Sequence, residues 1–206
     1  MMRLMKKAIG EAESGRGPRE DRGVISARII SAARDEFIEQ GVSGATFRAI
    51  ARRADVDPAL VHYYFASKER LLDAATTPPP DFLDNTQTAI SAPLAIRGQR
   101  IIEHVVSSWA APSTGPILYA TFLCANVDER TREKLRASMS ANFIGATSQR
   151  LPQRDRLLRA GLVSSQIVGL CWHRYIWKLD PLATMSDRDV ISAVAPTLQK
   201  YLNGRM

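Results

Sequence analysis

Apolar residues recur at helical spacing along most of the chain. Ile29, Ala33 and Phe37 follow one another at intervals of four, with Ile30 beside them, and Gly41 supplies a stop signal. Thr46 then caps a short helix running through Ala54. Asp57 caps another, with Pro58 at its first position, where a missing N–H costs nothing. Ser67 caps a fourth, beginning Lys68-Glu69-Arg70-Leu71-Leu72. The run Thr77-Pro78-Pro79-Pro80 ends that helix and predicts a boundary between two modules. Beyond it, with little strand patterning, the spacing predicts helices near 93–111, 115–126, 128–150, 154–178 and 186–203. Ser186 with Asp189 three residues on gives the last of these a start resembling a capping box. Pro196 inside it predicts a kink or a misplaced boundary. The expected fold class is therefore all-α.

Composition narrows the function. The chain has 206 residues, of which 45% are hydrophobic and 24% charged, an ordinary globular balance. Its net charge of +7 favours an anionic partner. That charge divides as +2 over residues 1–77 and +5 over 78–206, so it does not mark the first module. Cys124 and Cys171 are too few and too far apart for a disulfide scaffold or a thiolate metal site, and there is no Gly-rich phosphate loop. No metal or cofactor is expected. Uncharged residues run from His104 to Val127, but Pro112, Ser113, Thr114, Gly115 and Pro116 interrupt them, which predicts two helices and a turn rather than a membrane span. The N-terminus has charges and no apolar h-region, so a cytoplasmic protein is expected.

The sharpest pattern is TFRAIARRADVDPALVHYYF at 46–65. Two short helices flank a tight turn at Asp55-Val56-Asp57. Phe47, Ile50 and Ala51 can face the preceding helix, while Ala54 and Val56 plug the corner between the two. Small residues there allow the close approach that a helix-turn-helix requires. The second short helix would then project from the body and fit a major groove. Arg52 and Arg53 read as a solvated pair. Taken alone, Tyr63 and Tyr64 would be read as covering a hydrophobic surface; inside this motif they read as DNA contacts.

The stretch from about Ile25 to Leu72 resembles the N-terminal domain of tetracycline-repressor (TetR) family regulators. The matching residues are Phe37 and Gly41, then Thr46, Ile50-Ala51, Ala54 and Val56, then Phe65, Ser67-Lys68-Glu69 and Leu71-Leu72. Asp55 stands where the family usually has Gly, in a left-handed turn that costs Asp more than Gly. His62 stands where the family usually has Tyr. The resemblance implies an N-terminal three-helix helix-turn-helix domain over 24–77 and a larger helical domain over 78–206. Residues 1–23 would form a flexible tail, whose Arg16, Arg19 and Arg22 could serve as a basic arm in a minor groove.

With double-stranded DNA as partner, Thr46 would hold a phosphate at a helix N-terminus, and Lys68 would add a point charge for another. His62 and Tyr64 resemble the family's backbone-contacting aromatics. Pro58, Ala59, Leu60 and Tyr63 would face base edges, where apolar contact suits thymine methyls. Arg48 is the nearest arginine for polar readout.

The family's last two long helices form a dimer interface. Carried over, this points to Val163, Ile167 and Leu170 on one helix and Val190, Val194, Leu198 and Tyr201 on the other, although such a stripe alone fits an internal core. The middle helices carry His104, Trp109, Tyr119, Phe122, Cys124, Phe143 and Trp172, a mixture of apolar wall and polar handles that suits a ligand pocket. In the family this domain commonly binds a small effector that weakens DNA binding, so a small, largely apolar effector is expected. The leading expectation is a ligand-responsive repressor acting as a homodimer on a palindromic operator. A DNA-binding adaptor that docks a protein is the alternative. An enzyme is not expected, because His-Glu-x-x-His, Gly-x-Ser-x-Gly and clustered carboxylates are all absent from the sequence.

Overall fold

A computed structural model describes residues 22–151 and 154–204, and among them there is no strand. Four helices make the N-terminal part: α1 (Arg22–Gly44), α2 (Phe47–Ala54), α3 (Pro58–Tyr64) and α4 (Lys68–Thr76). Residues 1–21, with Arg16 and Arg19, lie outside the described residues. Arg22 and Gly23 already belong to α1, so that helix starts before the expected end of the tail. Gly41 breaks its regular path with φ 71°, the left-handed region that glycine enters without strain.

The local signals for the next three helices act as read. Thr46 Oγ1 accepts from Ala49 N at 3.2 Å, Asp57 Oδ1 from Ala59 N at 2.7 Å, and Ser67 Oγ from Arg70 N at 3.3 Å. Asp55 adopts φ 51° and ψ 53°, the left-handed turn conformation. Arg28 secures this corner from α1: its Nη2 donates to the Ala54 and Asp55 carbonyls, both at 2.8 Å. Ile29, Ala33, Phe37, Ile50, Val61, Leu71 and Leu72 form the core of this part.

The rest of the chain holds α5 (Pro80–Ser91), α6 (Arg97–Ala110), α7 (Gly115–Val127), α8 (Glu129–Ser138), α9 (Ala146–Gln149), α10 (Arg156–Cys171) and α11 (Asp187–Asn203). A π-helical stretch, Met139–Gly145, joins α8 to α9, and another, Trp172–Ile176, extends α10. Sequence reading missed α5. Three consecutive prolines read as a breaker, yet Pro80 occupies the first turn, where its fixed φ is compatible with a helix. Only Thr86, Ala89 and Ile90 are buried on α5, too short a stripe to register as periodic. Helix α11 runs through Pro196, which faces solvent.

Ile90, Ile101, Ile102, Val106, Val163, Val190, Leu198 and Leu202 form a second core. At Gly98 the helices α6 and α11 approach closely: a Cβ there would lie 2.7 Å from Gln199 N and 3.0 Å from Ala195 O. The Gly98 N–H donates to Gln199 Oε1 at 2.9 Å, and Gln199 Nε2 donates to the Leu94 carbonyl at 2.7 Å.

The residues expected at a dimer interface lie in or against this core. Val163, Val190 and Leu198 are 0% exposed, and Ile167 and Leu170 are buried with them. Val194 and Tyr201 are half-buried and pack against the same cluster. The stripes on α10 and α11 bury each other and α6, which leaves none of the fully buried residues to meet a second copy. The outward face of α10 carries Leu157, Leu158, Ser165 and Gln166 instead. Leu158 is 59% exposed, and a Cβ at Gly161 or Gly169 would meet nothing within 4 Å.

Candidate nucleic-acid interface and effector cavity

Helix α3 turns one residue inward, Val61, which is fully buried in the first core. Burying that single residue fixes the opposite face outward. Pro58, Ala59, His62 and Tyr63 are exposed, while Leu60 and Tyr64 are half-buried. Tyr63 stands out most, at 67% exposure, with the Tyr64 ring edge-on at 5.3 Å. The His62 ring packs edge-on against Phe47 at 4.6 Å, which ties α3 to the start of α2.

Thr46, Arg48, Ala49, Arg52 and Pro58 line one open depression between α2 and α3. It gathers a helix N-terminus with two guanidinium groups, an arrangement suited to phosphate. Arg52 was not among the expected contacts, although its spacing of four from Arg48 places both on one face. Its neighbour Arg53 turns the other way: its Nη2 lies 3.3 Å from Glu36 Oε2, and it also pairs with Glu39. The hydrogen bond from Arg53, followed by its charge, holds the Glu39 carboxyl below the usual range. Only half of the arginine pair is therefore available to a ligand.

Lys68 has an internal task. Its Nζ donates to the Ser43 carbonyl at 3.2 Å and the Ala45 carbonyl at 3.1 Å, clamping the loop that presents Thr46. An ammonium has three N–H donors, so one is left to face a phosphate.

A cavity of about 260 Å³ lies between the end of α4 and helices α5, α6, α7, α8 and α10. Of the residues expected to line it, His104, Trp109, Phe122 and Phe143 do so. Three do not. Tyr119 points to a separate surface depression shared with Arg34, Asp35 and Tyr175. Cys124 is buried in the core of the N-terminal part. Trp172 packs on Phe122 at 6.1 Å and on Trp177 at 5.4 Å. Periodicity shows which residues share a helical face, but the neighbour that covers the face decides between core and cavity. Sequence reading missed Phe82, Thr86, Thr121, Leu135 and Met139, and Ile167, expected at a dimer interface, also lines this cavity.

The polar groups here are already engaged. Thr86 Oγ1 donates to the Phe82 carbonyl at 2.8 Å, so it accepts from His104 Nε2–H, also at 2.8 Å. Burial holds the His104 ring below its ordinary pKa of 6.5, and hence neutral. Burial also pushes the Cys171 thiol up to about 12 and Cys124 to about 11, which leaves both inert as nucleophiles at neutral pH. Among the described residues no group of three or more His, Cys, Asp or Glu is placed to hold a metal, and no helix is long and apolar enough to cross a membrane.

Helix α4 joins the two regions. It starts at Lys68 beside Thr46, and it ends at Thr76 and Thr77 in the cavity wall. Asp73 on α4 pairs with Arg130, at 2.8 Å, and with Lys134, both on α8. Thr121 Oγ1 on α7 lies 3.0 Å from the Thr76 carbonyl. From α1, Arg34 Nε donates to the Ala75 carbonyl at 3.1 Å.

A short projecting helix on a three-helix base, joined through α4 and through the packing of α1 on α7 to a hollow helical body, defines a two-part helix-turn-helix protein. Residues 29–75 match the model for bacterial regulatory proteins of the tetR family, and residues 97–202 match the tetracyclin repressor-like C-terminal domain. The second match covers about half of the chain, and the chain belongs to the TetR family. It is similar to the HTH-type transcriptional regulator BetI of Rhizobium meliloti, at 31% identity over 108 residues, 52% of this chain and 53% of that protein. It is also similar to SrpR of Pseudomonas putida, at 38% identity over 71 residues, 34% of this chain and 29% of that one. The chain thus spans about half the length of the first of these curated relatives and less than a third of the second. Among solved structures, a TetR-family regulator from Streptomyces coelicolor A3 matches over 91% of this chain and 98% of its own, with TM-score 0.61 and 26% identity. The fold is shared with NalD of Pseudomonas aeruginosa, the secondary repressor of the MexAB-OprM multidrug efflux pump, with TM-score 0.68 and 21% identity over 89% of this chain and 98% of that one.

Proposed function

We propose that the chain is a cytoplasmic, ligand-responsive transcriptional repressor that binds a palindromic operator as a homodimer and leaves it when a small effector fills the cavity. Residues 24–77 form the DNA-binding domain and 78–206 the effector and dimerisation domain. Tyr63, Pro58 and Ala59 meet base edges. Thr46, Arg48 and Arg52 hold phosphates, and Lys68 and His62 support them. Two copies join through the outward face of α10, where Leu158, Gly161, Leu162, Ser165 and Gly169 let two helices approach closely.

The observation that carries this reading is that α4 belongs to both sites. A ligand among Thr76, Thr121 and Leu135 pushes on a helix whose other end clamps the loop carrying Thr46. In a dimer, a shift of a few ångströms misplaces both recognition helices relative to half-sites about 34 Å apart. The cavity also favours an effector-binding role over that of a protein-docking adaptor, which needs no hollow interior.

The test is thermodynamic linkage. Operator sequences are first selected from random duplex DNA, and a screened cavity ligand is then titrated with and without operator. Operator should weaken the ligand by the same factor, roughly 5–150-fold, by which the ligand weakens operator. Equal ligand affinities in the two titrations would defeat the repressor-release mechanism. Selection that returns no preferred sequence would defeat the operator.

A further inference from the structure

We propose that the cavity's ligand is a small apolar carboxylic acid whose carboxylate takes Lys134 away from Asp73. This rests on the effector reading above and adds to it the ligand's charge and the contact it breaks.

Among the described residues the lining contains no Asp or Glu, and Lys134 is its one charged residue. A cationic ligand would find no counter-ion among these walls. One face of the Trp109 indole is already taken by Tyr175, stacked at 4.6 Å with 2° between the rings, so it cannot serve a cation. The His104 imidazole, kept neutral by burial, adds no second cation. An anion with an apolar body has both things it needs: aromatic and aliphatic wall inside, and one ammonium at the rim.

Lys134 is poised for exchange. Its side chain is 49% exposed, and its ammonium rests on Asp73 Oδ1. An exposed ion pair of this kind contributes little. Once the apolar body is seated, the ligand's carboxylate competes for Lys134 at a high effective concentration. Asp73 is not stranded, because Arg130 Nη2 stays 2.8 Å from its Oδ2. The exchange therefore removes one of the two ion pairs by which α8 holds α4, the helix that begins beside the phosphate-facing loop. Binding and release of α4 become one event.

The experiment uses the full-length protein with three probes sharing one body: 4-phenylbutyrate, 4-phenylbutanamide and 4-phenylbutylamine. Affinities are measured by calorimetry and tryptophan fluorescence in buffer at physiological salt. The acid should bind at least about tenfold more tightly than the amide, as a charge-assisted contact implies, and the amine no better than the amide. Lys134→Met should bring the acid down to the amide's affinity and leave the amide unchanged, while Lys134→Arg keeps the preference. Asp73→Asn, which frees Lys134, should tighten the acid alone. Amide or amine binding as tight as the acid, or an acid preference that survives Lys134→Met, overturns the proposal and leaves the effector cavity standing. No binding of any probe at millimolar concentration overturns the proposal and the effector reading together.

Discussion

Single residues in this protein often serve a second partner that sequence spacing does not reveal. Lys68 reads as a free charge beside a helix start, and two of its three donors go to the carbonyls of Ser43 and Ala45. Arg53 reads as solvated and is paired with Glu36 and Glu39. Caps, by contrast, are decided within four residues, so Thr46, Asp57, Ser67 and the left-handed Asp55 could all be read directly from the chain. His104 lies between these cases: its type and its apolar surroundings are visible, whereas its bond to Thr86 depends on α5, which the prolines conceal. Its depressed pKa has a sign that can be checked. The folded ring resists a proton that the unfolded ring accepts near 6.5. Its contribution to stability is therefore fully present above that pH and is lost as pH falls toward the folded value. Urea unfolding of the wild type and of His104→Asn should show a stability gap that narrows between pH 7.5 and pH 5.5. A gap that widens on acidification would mean the ring is charged in the folded protein.

At the level of elements, the sequence marks where helices run better than what covers them. The periodic stripes on α10 and α11 are real, and within the protomer they pack against each other and α6. Period identifies a buried face; only packing identifies its partner, because an internal core and a dimer seam ask for the same residues at the same spacing. Helix α5 escaped notice because its stripe is short and its proline sits where a helix tolerates one. The contact of α6 with α11 was equally hidden. It depends on Gly98 having no side chain, since a Cβ would fall 2.7 Å from Gln199 N and 3.0 Å from Ala195 O, both backbone atoms. Replacing glycine by alanine in an exposed helix gains about 1 kcal/mol of propensity. Here overpacking of a helix–helix contact, which typically costs about 1–3 kcal/mol, works against that gain. Gly98→Ala should lower stability by about 1 kcal/mol in chemical denaturation and loosen the α6 wall that carries His104 and Trp109. An alanine variant as stable as wild type would show that α11 can move away without cost.

On the proposed function, the whole molecule reads DNA with two short helices acting together. Helix α3 has seven residues and offers Tyr63 as its one large exposed hydrophobic side chain, which is little for one protomer to read with. On the proposed reading both the reach and the electrostatics should double on dimerisation through the outward face of α10. Because Val163 and Leu198 are sealed inside the protomer, a charge at either site should unfold it. Leu158 is exposed, so Leu158→Glu should leave the fold intact and separate the copies. A dimer neutralising about six phosphates has a log–log salt slope of roughly −5 for operator binding. The separated variant engages one half-site, and its slope should fall to about half that value, together with a large loss of operator affinity. Sedimentation in the absence of DNA and a salt titration in its presence check the two halves of this expectation independently. If Leu158→Glu remained dimeric with the full slope, the outward face of α10 would not be the interface. If it became monomeric and kept the full slope, each protomer would hold all the phosphate contacts by itself, and the depression formed by Thr46, Arg48 and Arg52 would account for too few of them.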